Sequence, residues 1–267
     1  MKVVVITGST RGIGRGLATE FLKRGCPVVI SGRSKDKLAK EVKRLGDLYN
    51  HDKIIGQPCD VTDARQVKAL WDAAQQKFGK VDIWINNAGI PNTTRLFVEL
   101  DTEEISAVIS TNLIGVMHGC QVALRGMMKQ GYGQIYNLLG HGSDDRKRNG
   151  LVVYGTSKRA VRYFTEALIE ETEDTPVQVG FLSPGIVVTD FLIEDMRKMS
   201  PEQLETVKAV YNCLADKVET VTPFLVEGIL KNDKHGTQIV WLTDEMANER
   251  FNSDEYMNRD FFSEYGL

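Results

Sequence analysis

Short β-branched runs alternate with segments of helical period along almost the whole chain, and this rhythm leaves few folds open. Residues 2–7, 28–30, 54–59, 81–85, 134–139, 177–182 and 238–242 read as strands, each a brief apolar run closed by small, polar or turn-forming residues. Amphipathic stretches fill the intervals. Ile13, Leu17 and Phe21 recur every four residues after Gly12, and a charged helix is expected at 35–48. Val67, Leu70, Trp71, Ala74 and Phe78 form the stripe of a helix at 63–78. Asp101 and Glu104 have the spacing of a capping box and open a long helix that carries Asn112. A later helix places Ala160, Phe164, Ala167 and Leu168 on one face. Strand–helix alternation of this kind predicts an α/β fold with one doubly wound parallel sheet and helices on both faces. No linker, repeat or low-complexity stretch divides the chain, so residues 1–267 are expected to form a single domain.

Composition narrows the function classes. The formal net charge of −3 gives no reason to expect nucleic acid or an anionic membrane as partner. No unbroken apolar run reaches the length of a transmembrane span, and the start of the chain lacks the pattern of a signal or transit peptide. Cys26, Cys59, Cys120 and Cys213 are scattered without CxxC spacing. They argue against a zinc site or a disulfide framework, and no metal site is expected. The expectation is a cytoplasmic protein with reduced thiols.

The first turn carries chemistry. Thr7-Gly8-Ser9-Thr10-Arg11-Gly12-Ile13-Gly14 joins a strand to a helix N-terminus. Orphan N–H groups and the positive dipole end suit a pyrophosphate there, and missing side chains let it approach the backbone. The second strand ends at Ser31-Gly32-Arg33-Ser34, where many dinucleotide folds place an acidic residue for the ribose hydroxyls. Arg33 at this tip, with Arg11 in the first turn, suits a 2′-phosphate, so NADPH is expected rather than NADH. Asp60-Val61 after the third strand could meet an adenine, although Asp60 could equally be a cap. Asn86-Asn87-Ala88-Gly89 falls just past the fourth strand, in the crevice where open α/β sheets bind ligands.

The second chemical feature is Tyr154-Gly155-Thr156-Ser157-Lys158. A tyrosine and a lysine at this spacing share one helix face, and an ammonium near a phenol favours the phenolate. Such a tyrosine is expected to exchange a proton near neutral pH. Asn112 inside a helix is unfavourable unless its amide is used.

These pieces together resemble the short-chain dehydrogenase/reductase family over nearly the whole chain. The resemblance rests on Thr7-Gly8-x-x-x-Gly12-x-Gly14, Asp60-Val61, Asn86-Asn87-Ala88-Gly89, Asn112, Tyr154-x-x-x-Lys158 and Ser183-Pro184-Gly185, in family order and spacing. It implies a Rossmann-like sheet of seven strands in order 3-2-1-4-5-6-7, a nicotinamide cofactor, and a homodimer or homotetramer. Tyr154 is then the general acid for a carbonyl oxygen as hydride arrives, Lys158 holds ribose hydroxyls, and Asn112 positions a water in the proton relay. Cofactor contacts are implied for Gly8, Ser9, Thr10, Arg11, Gly12, Ile13, Gly14, Arg33, Asp60, Val61, Asn87, Ala88 and Gly89. Tyr154, Lys158, Pro184, Gly185, Val187 and Thr189 complete that set. The family commonly places a serine thirteen residues before the tyrosine, where this chain has His141. Ser143 is the nearest hydroxyl, and the flanking glycines favour it over His141 as the fourth catalytic residue.

Gly-x-Gly-Ser at 140–143, Tyr154 to Arg159, Leu182 to Asp190, Asn212 to Asp216 and Trp241-Leu242-Thr243 resemble the chlorophyll b reductase branch. That branch reduces the C7 formyl group of chlorophyll b to hydroxymethyl. Residues 186–218 are expected to close over substrate, with Ser200-Pro201-Glu202-Gln203 starting a helix whose stripe of Leu204, Val207, Val210, Tyr211 and Leu214 either packs on the body or lines a large hydrophobic pocket. Residues 144–148 read as a solvated loop or as a border of the substrate entrance, and 243–267 as an acidic, aromatic-ended tail that packs on the body or contacts another subunit. Reduction of another ketone or aldehyde (steroid, sugar or acyl thioester) and a silent NADP-binding regulator are the competing readings.

Overall fold

The computed structural model describes residues 1–267. The first half alternates strictly: β1 (Val4–Ile6), α1 (Gly12–Lys23), β2 (Val28–Gly32), α2 (Lys35–Leu48), β3 (Ile54–Pro58), α3 (Ala64–Phe78) and β4 (Ile83–Asn86). Then come α4 (Thr102–Ile109), one π turn (Ser110–Ile114), α5 (Gly115–Gln130), β5 (Gly133–Leu138), α6 (Val152–Glu171) and β6 (Val177–Ser183). The last third holds β7 (Val187–Val188), α7 (Asp190–Met196), α8 (Pro201–Leu214), β8 (Asp216–Lys217), α9 (Val218–Lys231) and β9 (Gln238–Val240). Two short helices, α10 (Asp244–Phe251) and α11 (Asp254–Met257), finish the chain.

Seven strands make one sheet in the order β3-β2-β1-β4-β5-β6-β9, and every pairing is parallel. This is the expected topology, with β9 in the seventh place. The strands are buried on both faces because successive side chains alternate between two cores. Val4, Ile6, Val28, Ile30 and Ile83 face Leu17 and Phe21 of α1, Leu38 and Leu45 of α2, and Val221 and Leu225 of α9. Val5, Val29, Trp84 and Ile135 face Val67 and Leu70 of α3, Val116 and Cys120 of α5, and Val161 of α6. Fully burying side chains such as Leu17 or Phe21 stabilises the fold by roughly 1.5–3 kcal/mol each.

Sequence reading missed the second sheet. β7 and β8 pair with each other as a two-stranded ribbon at the two ends of the α7–α8 excursion. Strands of two residues carry no periodicity from which to read them. The capping box at Asp101 is also absent. Asp101 makes no side-chain cap bond; Glu104 instead accepts from the Thr93 amide and from Arg95 Nη2 at 2.8 Å. The helical run Thr102–Gln130 is long and apolar enough to cross a membrane by length and composition alone, which does not indicate a transmembrane segment. Here it packs against the sheet through Val116, Cys120, Ala123 and Met127.

Candidate active site

The carboxyl ends of β1, β2, β4, β5 and β6 open into one cavity of about 380 Å³, which runs from the glycine turn to α7 and α8. Where the strand order reverses between β1 and β4, two loops part and leave a crevice. Asn87 welds those loops: its Nδ2 donates to Thr7 O at 2.8 Å and Gly8 O at 3.0 Å. Thr7 Oγ1 in turn accepts from the Asn87 and Ala88 amides, both at 3.0 Å. Gly8 and Gly12 have positive φ, +62° and +55°. A Cβ on Gly14 would lie 2.4 Å from Asn87 Nδ2. Helix α1 begins with neither a side-chain cap nor an acidic residue in its first turn. Its first N–H groups and dipole face the cavity as an anion site.

Gly8, Thr10, Arg11, Gly12, Ile13 and Gly14 line this end of the cavity, and Arg33, Asp60 and Val61 lie beside them. Ser9 does not line it. Its hydroxyl is buried, donating to Ile6 O at 2.7 Å and accepting from Ser31 N at 2.9 Å, which knits the turn to β2. Arg11 makes only a loose 3.7 Å pair with the lid residue Glu194, and both side chains are more than half exposed. Asp60 Oδ1 closes a local turn by accepting from Thr62 N and Oγ1. The cap of α3 is Asp63. Ala88, Gly89, Pro184, Gly185, Val187 and Thr189 line the middle of the cavity. A dinucleotide fits these residues: an uncapped helix N-terminus, glycines that leave room for it, and two arginines where the adenosine end would lie.

Tyr154 and Lys158 come from the first turns of α6 and line the far half of the cavity. The N-cap of α6, Leu151, offers no side-chain cap. Asn92 supplies one from a distant loop: its Oδ1 accepts from Tyr154 N at 2.9 Å while its Nδ2 holds Gly150 O at 2.7 Å. Asn92 was not singled out in the sequence, because a cap from so far upstream leaves no local pattern. Lys158 Nζ donates to Leu138 O at 3.0 Å and sits 5.9 Å from the centroid of the Tyr154 ring. Burial pulls Lys158 down from 10.5 to about 8. Burial, and then Tyr211, push the Tyr154 phenol above its ordinary value. At Tyr154, then, desolvation works against the phenolate that the Tyr154–Lys158 spacing was expected to favour.

Asn112 lies at the centre of the π turn and is fully buried. Its Oδ1 accepts from Ile90 N at 2.8 Å, and its Nδ2 donates to Ile90 O at 2.9 Å and Ser157 Oγ at 3.0 Å. The amide thus ties α4–α5 to the loop after β4 and to α6. It borders the cavity through these contacts without lining it.

Ser143 departs from the sequence expectation. It is 5% exposed and does not belong to the cavity wall, whereas Gly140 and His141 do. The 140–143 turn is tight, with Ser143 N donating to Gly140 O at 3.1 Å. A Cβ on Gly140 would lie 2.5 Å from Tyr154 Oη, and one on Gly142 would lie 2.6 Å from Gly155 Cα. Gly140, which packs close to the tyrosine hydroxyl, thus brings no side chain to it. His141 is exposed, and partial desolvation, then Arg148, lowers its imidazole from the ordinary value.

Two further residues reach the cavity. Arg148 was read as part of a solvated loop and Tyr211 as one position in an apolar stripe; both line the cavity opposite Tyr154. Arg148 Nη1 donates to Tyr211 Oη at 2.5 Å, and its Nη2 lies 3.8 Å from Asp195. Phe191, Leu192 and Ile186 supply the apolar wall, the Phe191 ring 6.1 Å from that of Tyr154.

The α7–α8 excursion is held from outside. Asp216, 8% exposed in its side chain, pairs with Arg250 at 2.8 Å and Arg259 at 3.2 Å and accepts from Trp241 Nε1 at 2.7 Å. Phe262 is fully buried against Val188, Ile193, Met196 and Ala215.

Comparison with known proteins agrees with this geometry. The model of the short chain dehydrogenase family matches residues 2–200. Chlorophyll(ide) b reductase NOL, chloroplastic, from Oryza sativa subsp. japonica is 39% identical over 231 residues, 85% of this chain and 66% of the relative. The probable chlorophyll(ide) b reductase NYC1, chloroplastic, of the same plant is 35% identical over 90% of this chain and 49% of its own length. The chain therefore spans about half to two thirds of these plant relatives. An uncharacterized oxidoreductase of Staphylococcus aureus (strain N315) is 32% identical over 76% of this chain and 87% of that protein. Among solved structures, levodione reductase superposes with a TM-score of 0.82 at 24% identity, covering 92% of this chain and 98% of that one. An alcohol dehydrogenase from Thermococcus sibiricus complexed with 5-hydroxy-NADP gives 0.76 at 24% identity, covering 90% and 96%. With its sheet order, crevice and Tyr154–Lys158 pair, the chain belongs to the short-chain dehydrogenase/reductase family of nicotinamide-dependent oxidoreductases.

Proposed function

We propose that this protein is an NADPH-dependent carbonyl reductase that acts on an aldehyde of the chlorophyll b type, converting a C7 formyl group to hydroxymethyl. The observation that carries the reductase reading is that Tyr154 lines one cavity with Lys158, the glycine turn, Arg11 and Arg33. The cofactor, when bound, supplies the hydride. Tyr154 Oη donates its proton to the substrate oxygen that becomes the alcohol. Lys158, anchored on Leu138 O, holds a hydroxyl-bearing group beside that proton, and Asn112 fixes the loop and helix on either side. Arg11 and Arg33 favour a 2′-phosphate.

Similarity to the chlorophyll(ide) b reductases supports the substrate class. The cavity, about 380 Å³, is at the small end for ligand sites, so only the formyl-bearing edge of a macrocycle enters beside a dinucleotide. The same volume favours a second reading, a smaller aldehyde or ketone held entirely inside. A homodimer or homotetramer, which the family resemblance implies, is part of this reading. Incubation with NADPH and chlorophyll b, followed through the formyl-dependent absorption bands, tests the first reading. An unchanged spectrum beside brisk turnover of small aldehydes would establish the second.

A further inference from the structure

We propose that Tyr211 is a substrate-binding residue whose hydroxyl donates a hydrogen bond to an uncharged carbonyl oxygen of the substrate, with Arg148 and Asp195 as positioning residues. The inference rests on the carbonyl-reductase reading and supplies a donor that this reading lacks, since Ser143 stands outside the cavity wall and Gly140 has no side chain.

A guanidinium has donors and no acceptor. Arg148 Nη1, 2.5 Å from Tyr211 Oη, therefore uses an oxygen lone pair and leaves the phenolic hydrogen free. Arg148 is the only protein partner of that hydroxyl. Tyr211 lines the same cavity as Tyr154. Its ring is fixed between Phe262, 6.5 Å away, and the Arg148 guanidinium, 5.8 Å from the ring centroid. A donor whose oxygen already accepts from a cation is polarised, which strengthens the bond it gives.

The charge arrangement specifies the acceptor. Asp195, itself bonded by Thr94 Oγ1, lies 3.8 Å from Arg148 and offsets its charge. The cluster as a whole is close to neutral and offers no net attraction to a carboxylate, so it fits an aldehyde, ketone or ester oxygen. Burial pushes the Tyr211 phenol up, keeping its proton at neutral pH.

The test measures kcat and KM with NADPH for the wild type, Tyr211→Phe, Arg148→Lys and Arg148→Leu, on chlorophyllide b and on benzaldehyde, with NADPH affinity from its fluorescence. Tyr211→Phe keeps the ring, and it is expected to lower kcat/KM by roughly 10- to 100-fold while NADPH affinity is unchanged. A loss on benzaldehyde, which has one oxygen, assigns the bond to the reacting carbonyl. A loss confined to chlorophyllide b assigns it to a second oxygen. Arg148→Leu is expected to follow Tyr211→Phe, and Arg148→Lys to recover part of the loss. Wild-type rates in Tyr211→Phe on both aldehydes would overturn the role. A wild type inert toward both would instead remove the reductase reading, and this role with it.

Discussion

Lys158 shows most plainly what a sequence motif hides. Its spacing to Tyr154 was readable, but the desolvation of the pair was not, because that depends on what packs around it. Its folded value of about 8 lies below the ordinary 10.5. Between those values the unfolded chain binds more protons, so Lys158 makes stability rise with pH across that window. Below it, the buried charge costs a constant amount. Lys158→Met is therefore expected to abolish turnover and yet to be more stable than the wild type at neutral pH, by up to about 3 kcal/mol. That margin narrows as pH rises from about 8 toward 10.5. Urea unfolding at about pH 7 and about pH 10 reads both effects, and a variant less stable at both would refute the sign. Ser143 makes the same point in reverse. Its type and approximate place suggested catalysis, but a tight turn packed on Gly155 takes it out of the cavity wall. Ser143→Ala is expected to cost less turnover than Tyr211→Phe.

At the level of elements, strands and helices were largely legible because each core-facing strand is a continuous apolar run and each helix has a clear stripe. What escaped was structure made by distant partners. Asn92 caps α6 across the loop that ends at Gly150. Asn112, whose amide pairs with Ile90 and Ser157, sits in a π turn that locally widens the helix. The two-residue strands that flank the lid helices are too short for any pattern. The glycine turn, by contrast, was legible because its chemistry is local. A Cβ at Gly14 would press on Asn87 Nδ2 at 2.4 Å and Gly8 O at 2.7 Å. Gly14→Ala should therefore push the two loops apart, destabilising the protein by about 1–3 kcal/mol and weakening NADPH binding. Thermal unfolding beside NADPH titration separates the two losses. Unchanged NADPH affinity would mean that the turn does not hold the cofactor.

Across the whole molecule, the lid and the tail behave as one body on the rim of the cavity. The tail's aromatic end suggested packing, but only the fold shows that Arg250 and Arg259 converge on Asp216 at the root of α9. Removing one member of a buried ion cluster leaves its partners uncompensated. Asp216→Asn is expected to destabilise the protein by about 3–5 kcal/mol and to expose α7–α8 to proteolysis before the sheet unfolds. Intact lid helices during limited digestion would contradict it. The central claim is that Tyr154 delivers the proton in a crevice built for NADPH. It is tested most directly by comparing wild type and Tyr154→Phe on the best aldehyde substrate, with NADPH and with NADH. The expected result is wild-type preference for NADPH, and a Tyr154→Phe rate lower by at least about 100-fold with NADPH affinity retained. A variant that turns over at the wild-type rate, or a wild type that prefers NADH, would contradict the account.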